Sequence, residues 1–144
     1  MAHIELISYC GLYCGACSFR VTCQDKERKH LEAMPAKYDQ FKNEPLGEPC
    51  GGCKPDPNSC GDCGIRTCAK GKGLSHCGLC ADVPCARITE FSRDGVPHHA
   101  EVMENLKAIR EMGEEAWAAA QEKRWTCACG AKLSWYLRVC PKCG

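Results

Sequence analysis

The chain has 144 residues, enough for one domain or for a small domain with an appendage. Leu, Ile, Val and Phe make up about 15% of it, below the roughly 20% at which an ordinary apolar core becomes doubtful. A formal charge of +1 excludes a highly charged disordered chain, and no apolar run approaches the roughly 18 residues of a membrane span. Because 16 residues are cysteine, we expect bound metal to supply the missing stability.

The N-terminal segment carries the first of three cysteine groups and favours metal over disulfide bonds. Residues 1–10 lack the basic region, the long apolar run and the cleavage site of a signal peptide, so we expect a cytoplasmic, reducing location. Clustered thiols in that environment are typical metal ligands, because a C-x2-C pair brings two sulfurs within about 2.3 Å of one ion. This group consists of Cys10, Cys14, Cys17 and Cys23.

The next segment has apolar residues at three- and four-residue steps, which predicts an amphipathic helix from about Glu27 to Lys42. Pro35 interrupts the pattern, because proline removes a backbone donor and clashes with the preceding turn. We therefore expect two short helices, or one helix kinked at Met34, packed as a lid over the metal core.

The second cysteine group contains an internal repeat of the form C-G-x-C-x4-C, which occurs at residues 60–68 and 77–85. Each copy offers three ligands, so another C-x2-C pair can supply the two that are missing from two four-ligand sites. The pairing stays open and includes cross-bracing between the copies. Gly and Pro between Gly47 and Gly73 predict a loop. The group consists of Cys50, Cys53, Cys60, Cys63, Cys68, Cys77, Cys80 and Cys85.

Helical signals resume after the second group. One or two helical turns are predicted from Cys85 to Phe91, and a longer helical stretch follows Pro97, which Gly113 divides in two. We expect His98 and His99, at the start of that stretch, to be solvated, because four-thiolate sites need no nitrogen ligand.

The third cysteine group, near the end of the chain, predicts a zinc ribbon. Two knuckles flank a short predicted hairpin, and Trp125 and Trp135 are able to cover the ion. The first knuckle is C-x-C, one residue shorter than the C-x2-C that lets backbone N–H groups reach the sulfurs. We nevertheless predict a closed site. Its ligands are Cys127, Cys129, Cys140 and Cys143.

The predicted fold class is a small, metal-stabilised, loop-rich α+β protein, with cysteine knuckles, short helices, a helical linker and a C-terminal zinc-ribbon hairpin. We divide it into a cysteine-rich metal-binding domain (1–96), a helical linker (97–122) and the ribbon (123–144). At four ligands per tetrahedral site, the groups predict one, two and one sites, about four zinc ions with no cysteine left over.

Several motifs resemble the bacterial and archaeal family called domain of unknown function 3795. They are Ser8-Tyr-Cys-Gly-Leu-Tyr-Cys-Gly-Ala-Cys17, Cys50-Gly-Gly-Cys53, Cys60-Gly-Asp-Cys-Gly-Ile-Arg-Thr-Cys-Ala69 and Cys77-Gly-Leu-Cys-Ala-Asp-Val-Pro-Cys85. The order and spacing of the cysteines match over about residues 5–95, together with Arg66 and Pro84, and the tail is similar to the zinc ribbon of some members. The resemblance implies a small cytoplasmic metal-binding domain with no assigned reaction.

Three functions are compatible with this sequence, and none involves a membrane. The first is a zinc-binding adaptor with a protein partner, because complete four-thiolate sets are closed and no catalytic constellation is visible. The second is a protein with [4Fe–4S] clusters in one or more N-terminal sites, for electron transfer or redox sensing. The third is nucleic-acid binding through the basic residues of the ribbon. These are Lys123, Arg124, Lys132, Arg138 and Lys142.

Within the iron–sulfur class, the Cys10-x3-Cys14-x2-Cys17 spacing also matches the three-cysteine signature of radical S-adenosylmethionine enzymes. Those enzymes build a large partial barrel, whereas this chain reaches another cysteine group within about 30 residues. An enzyme of that class is therefore the least supported alternative.

Overall fold

The computed structural model describes residues 3–47, 52, 54 and 63–144, and these form a helix-rich chain. Six α-helices are found in the described ranges: α1 (Ser18–Asp25), α2 (Lys29–Glu32), α3 (Gly64–Gly71), α4 (Ala86–Ser92), α5 (Val102–Met112) and α6 (Glu114–Arg124). Short 3-10 turns lie at Ile4–Leu6, Cys14–Ala16, Ala36–Phe41, Cys77–Leu79 and Pro97–Glu101. None of the described helices is long and apolar enough to cross a bilayer.

The described ranges contain isolated β-bridges in place of strands. The three bridges join Ile7 to Tyr13, Thr126 to Lys132 and Ser134 to Leu137. The β part of the predicted α+β class and the predicted ribbon hairpin are therefore not seen in this part of the chain. In the ribbon segment the chain folds into two small loops, closed by the Thr126–Lys132 and Ser134–Leu137 bridges. The backbone N–H of Trp135 donates to the Ala16 carbonyl oxygen and not to a neighbouring strand of the ribbon.

Helices α5 and α6 form the centre of the fold. Ile109 and Trp117 belong to one buried apolar cluster, and Val102 and Leu106 to another, so α5 contributes to both. Gly113 separates the two helices with a φ of 87°, as its position in the sequence predicts. The stretch that the sequence suggested as a linker thus contributes one face to the buried clusters.

The other helical predictions have mixed outcomes. The predicted break at Pro35 is confirmed, because α2 ends at Glu32 and a 3-10 turn begins at Ala36. The predicted short helix after Cys85 is confirmed as α4. The predicted loop from Gly47 to Gly73 is wrong at its end, where α3 buries Ile65 and Ala69 on one face. Helix α1, immediately after Cys17, was not predicted.

The C-terminal segment packs on the N-terminal part of the chain. The backbone N–H of Trp135 donates to the carbonyl oxygen of Ala16 at 3.0 Å, and the Lys29 ammonium donates to the Pro141 carbonyl oxygen at 3.2 Å. Trp125, only 4% exposed, enters the same apolar cluster as Ile7. The division into three units stays a prediction. Any such division has to be compatible with this interface between the C-terminal segment and the N-terminal part of the chain.

Candidate metal centres

The four cysteines of the C-terminal cluster come together as predicted. We use this name for Cys127, Cys129, Cys140 and Cys143, whose sulfur atoms all lie within 4.8 Å of one another. The Sγ atoms of Cys127 and Cys143 are 3.5 Å apart, as are those of Cys129 and Cys140. A tetrahedral ion with bonds of about 2.3 Å holds its sulfurs about 3.8 Å apart, so the cluster fits a single zinc-sized ion.

Local backbone turns create this geometry. In the first knuckle, the Gly130 N–H donates to the Cys127 carbonyl oxygen at 2.8 Å, and Gly130 has a φ of 91°, which glycine adopts without strain. In the second knuckle, the N–H groups of Lys142 and Cys143 both lie 3.4 Å from the Cys140 sulfur. The knuckle with the full C-x2-C spacing therefore supplies the N–H donors to sulfur.

These contacts shift the pKa values of two of the cluster's thiols. Donation from the N–H groups of Cys143 and Lys142 lowers the pKa of Cys140 to about 6. Shared hydrogen bonds with Cys127, Cys140 and Cys129 raise the pKa of Cys143 to about 12. Four neighbouring sulfurs cannot all be negative without a positive ion, and a divalent metal would displace the remaining protons.

The second group also converges, but around a cavity. Cys68, Cys77, Cys80 and Cys85, which we call the central set, line a cavity of about 20 Å³ together with apolar side chains that include Ile65 and Ile88. Burial, together with a smaller effect of the neighbouring thiols led by Cys85 and Cys68, raises the pKa of Cys77 to about 11. The structure thus unites cysteines from both copies of the repeat.

Helix ends and one arginine position the central set. Cys68 lies within α3, Cys85 immediately precedes α4, and Cys77 begins a 3-10 turn that leads to Cys80. From α5, the Arg110 guanidinium donates to the carbonyl oxygens of Gly78, at 2.6 Å, and Cys80, at 3.0 Å. This pair of bonds holds the Cys77–Cys80 turn against the core.

The Cys80 sulfur has polar neighbours of its own. The Lys72 ammonium donates to this sulfur at 3.3 Å and forms an ion pair with Asp82 at 3.0 Å. The backbone N–H of Asp82 lowers the pKa of Cys80, burial opposes this effect, and the Lys72 ammonium adds to the lowering. These polar contacts favour the thiolate form of Cys80.

The repeated C-G-x-C motif has a steric explanation at two of its occurrences. Both described turns close with the same bond, from the fourth residue's N–H to the first cysteine's carbonyl oxygen, at 3.1 Å for Cys17 and 3.0 Å for Cys80. A Cβ at Gly78 would lie 2.7 Å from the buried imidazole of His76, and one at Gly15 would collide with the ring of Tyr13. Glycine lets a buried ring cover each turn.

The cysteines of the first group lie in different surroundings. Cys10 is buried in the apolar cluster that contains Cys77, and its sulfur is 3.2 Å from the Ser8 hydroxyl. Cys14 packs against the cluster around Trp117. Cys17 precedes α1, and Cys23 lies within it. Within the described ranges, three or more ligand atoms lie within 4.8 Å of each other only in the C-terminal cluster, so a common site for this group stays a prediction.

Three predicted ligands, Cys50, Cys53 and Cys60, lie outside the described residues. One neighbouring position is described: a Cβ placed on Gly52 would lie 3.6 Å from the Cβ of Cys14. Gly52 therefore lies beside the first cysteine group.

The histidines are the residues that sequence reasoning missed. The expectation of a solvated His98 is wrong: it is 8% exposed, its ring stacks on Trp135 at 4.2 Å, and its Nδ1 lies 2.6 Å from the Tyr136 hydroxyl. His99 is partly buried and pairs with Asp94 at 2.6 Å. The aromatic partners of His98 are distant in sequence, so no local pattern could indicate its burial.

Comparison with known proteins places the chain in a family. Residues 6–90 match the family described as protein of unknown function (DUF3795), and the chain belongs to that family. No match was found among curated proteins or among solved structures. The matched range covers the first and second cysteine groups, whereas the C-terminal cluster lies beyond it.

Proposed function

We propose that the protein is a multi-site metal-binding protein in which zinc in the C-terminal cluster fixes a binding surface for another protein. The observation that carries this proposal is the set of four sulfurs within 4.8 Å of one another. Such a set fills all four positions of a tetrahedral zinc ion and leaves none open for water or substrate, which is typical of a structural site. When bound, zinc would neutralise part of the thiolate charge and cross-link the two knuckles of the C-terminal cluster.

The packing of the cluster supports a structural role. Cys140 is 8% exposed, and the intervening segment contributes Ser134 and Trp135 to contacts with the N-terminal half. Closing the cluster around an ion would therefore also fix that interface. The exposed side of the second knuckle carries Val139, which is 64% exposed and is one candidate contact for a partner.

The nucleic-acid alternative receives less support from the basic residues. Arg124 and Arg138 both pair with Glu101, at 3.2 and 3.4 Å. Their guanidinium groups also lie over the Trp125 ring, at 4.5 and 5.1 Å from its centroid. Two of the five basic residues are thus engaged in internal contacts, and each loaded four-thiolate site would add a formal charge of about −2.

Elemental analysis of variants tests the zinc site. Cys129→Ala should lower bound zinc by about one equivalent, because three thiolates bind a structural zinc ion far less tightly than four. Val139→Ala, at an exposed position next to Cys140, is the matched control and should keep the wild-type zinc content. Equal zinc content in Cys129→Ala and wild type would rule out the proposed site.

A further inference from the structure

Four cysteines outside the C-terminal cluster surround a cavity rather than a point. Cys68, Cys77, Cys80 and Cys85 all line the same small space. In the described part of the chain, the sulfurs that meet the spacing of a single-ion site are those of the C-terminal cluster, and the central set is not among them. We propose that the central set binds a [4Fe–4S] cluster.

The ligands of a [4Fe–4S] cluster are spaced more widely than those of a single ion. A cube of four irons and four sulfides stands between the thiolates, so it holds the four cysteines farther apart than one tetrahedral ion does. The cavity of about 20 Å³ lies between the four thiols and has room for about one water, so uptake of a cluster would require the thiolates to move apart. A single ion would instead require the sulfurs to approach one another.

The walls of the cavity suit a cluster with a net charge of about −2. Ile65, Leu74 and Ile88 present apolar surface, which limits access of water. Lys72 and Arg87 also line the cavity, and the Lys72 ammonium already lies 3.3 Å from the Cys80 sulfur. N–H donation to a cluster sulfur is a known means of raising its reduction potential.

A fifth cysteine provides an internal control. Cys63 immediately precedes α3 and packs against the same apolar cluster as Cys77, but it does not line the cavity. The geometry therefore assigns Cys68, and not Cys63, as the ligand from the first copy of the repeat. Cys63 immediately precedes α3 and Cys68 lies within it. Alanine substitutions at these two positions are therefore closely matched.

The central set shares no cysteine with the C-terminal cluster, so a [4Fe–4S] cluster there does not depend on the zinc proposed for the C-terminal cluster. The two proposals can fail separately, because iron and zinc are counted independently. Cys129→Ala should lose zinc and keep its iron, whereas Cys77→Ala should lose iron and keep the zinc of the C-terminal cluster. Far-ultraviolet circular dichroism of each variant checks that its helices have formed.

The experiment uses full-length protein, purified without oxygen and incubated with ferrous iron, sulfide and a thiol reductant. Iron, acid-labile sulfide and absorbance at about 400 nm are measured for wild type and for the single variants Cys68→Ala, Cys77→Ala and Cys63→Ala. We expect Cys68→Ala and Cys77→Ala to lose about four irons and four sulfides relative to wild type. Cys63→Ala should retain the wild-type content.

Two results would overturn the proposal. One is wild-type protein that takes up no acid-labile sulfide and instead holds zinc that is lost on Cys77→Ala substitution. The other is a Cys63→Ala variant that loses as much iron and sulfide as Cys68→Ala, because the cavity would then not define the ligand set.

Discussion

His30 on α2 and Ser134 in the C-terminal segment are joined by a hydrogen bond of 2.7 Å between Nδ1 and Oγ, although 104 residues separate them. Both side chains are fully buried. The other ring nitrogen of His30, Nε2, has no hydrogen-bond partner among the described residues. The bond to Ser134 is therefore the one polar contact described for this imidazole. It connects α2 with the C-terminal segment in the interior.

Loss of the serine hydroxyl should be costly. Ser134→Ala leaves His30 Nδ1 buried without a partner, so we expect the free energy of unfolding to fall by about 1–3 kcal/mol. Urea unfolding in excess zinc measures this difference. Asn43→Ala, which removes an exposed amide, is the control and should change the free energy of unfolding by less than about 0.5 kcal/mol. Equal effects of the two substitutions would contradict the importance of the buried bond.

The sequence indicates some of these features and conceals others. Gly113 and Pro35 marked helix ends because their backbone preferences act locally, and the C-terminal cysteines met because few residues separate them. Helix α3 was missed because glycines and prolines around it suggested a loop, whereas burial of its apolar face stabilises the helix. Contacts such as His30 with Ser134 depend on the tertiary arrangement, which no local pattern reports.

The structure predicts that Trp125 stabilises the whole described core and not only the C-terminal segment. Its ring is 4% exposed and packs in the cluster of Ile7 and Trp117. Trp125→Ala should lower the free energy of unfolding by about 3–5 kcal/mol through lost burial and the cavity left behind. Hydrogen exchange should show faster opening at the backbone N–H of Ile7. Unchanged protection there would favour an independently folded C-terminal unit, as the division at residue 123 implies.

Arg110 should control metal binding at the central set without being a ligand. Its two bonds to the carbonyl oxygens of Gly78 and Cys80 hold the turn that presents Cys77 and Cys80. Removal of supporting bonds of this kind typically weakens metal affinity by about 10–100-fold, so we expect Arg110→Met to lose metal to a competing chelator at correspondingly lower concentration. Arg93→Met, at an exposed position after α4, should behave like wild type. Identical chelator titrations of the two variants would refute this role.

Burial of His98 should make stability depend on pH. Burial, followed by the neighbouring His99, lowers the pKa of His98 to about 3, whereas an unfolded histidine titrates at about 6.5. The unfolded state therefore takes up the proton first. This contribution to stability is fully present above about pH 6.5 and is lost progressively as the pH falls towards 3, by up to about 1.4 kcal/mol per pH unit.

The variant His98→Asn removes this titration and keeps a side chain that is able to bond to the Tyr136 hydroxyl. It should be less stable than wild type at pH 7.5, because the stacking on Trp135 is lost. By pH 5.5 the gap in unfolding free energy should shrink by about 1.4 kcal/mol, since only wild type carries the buried imidazole. Taking the difference between the two proteins cancels the acid sensitivity of their shared thiolates. His3→Asn removes only an exposed pair with Glu5 and should change the free energy of unfolding by less than about 0.5 kcal/mol at both pH values. A constant gap for His98→Asn would show that His98 is not buried as a neutral ring.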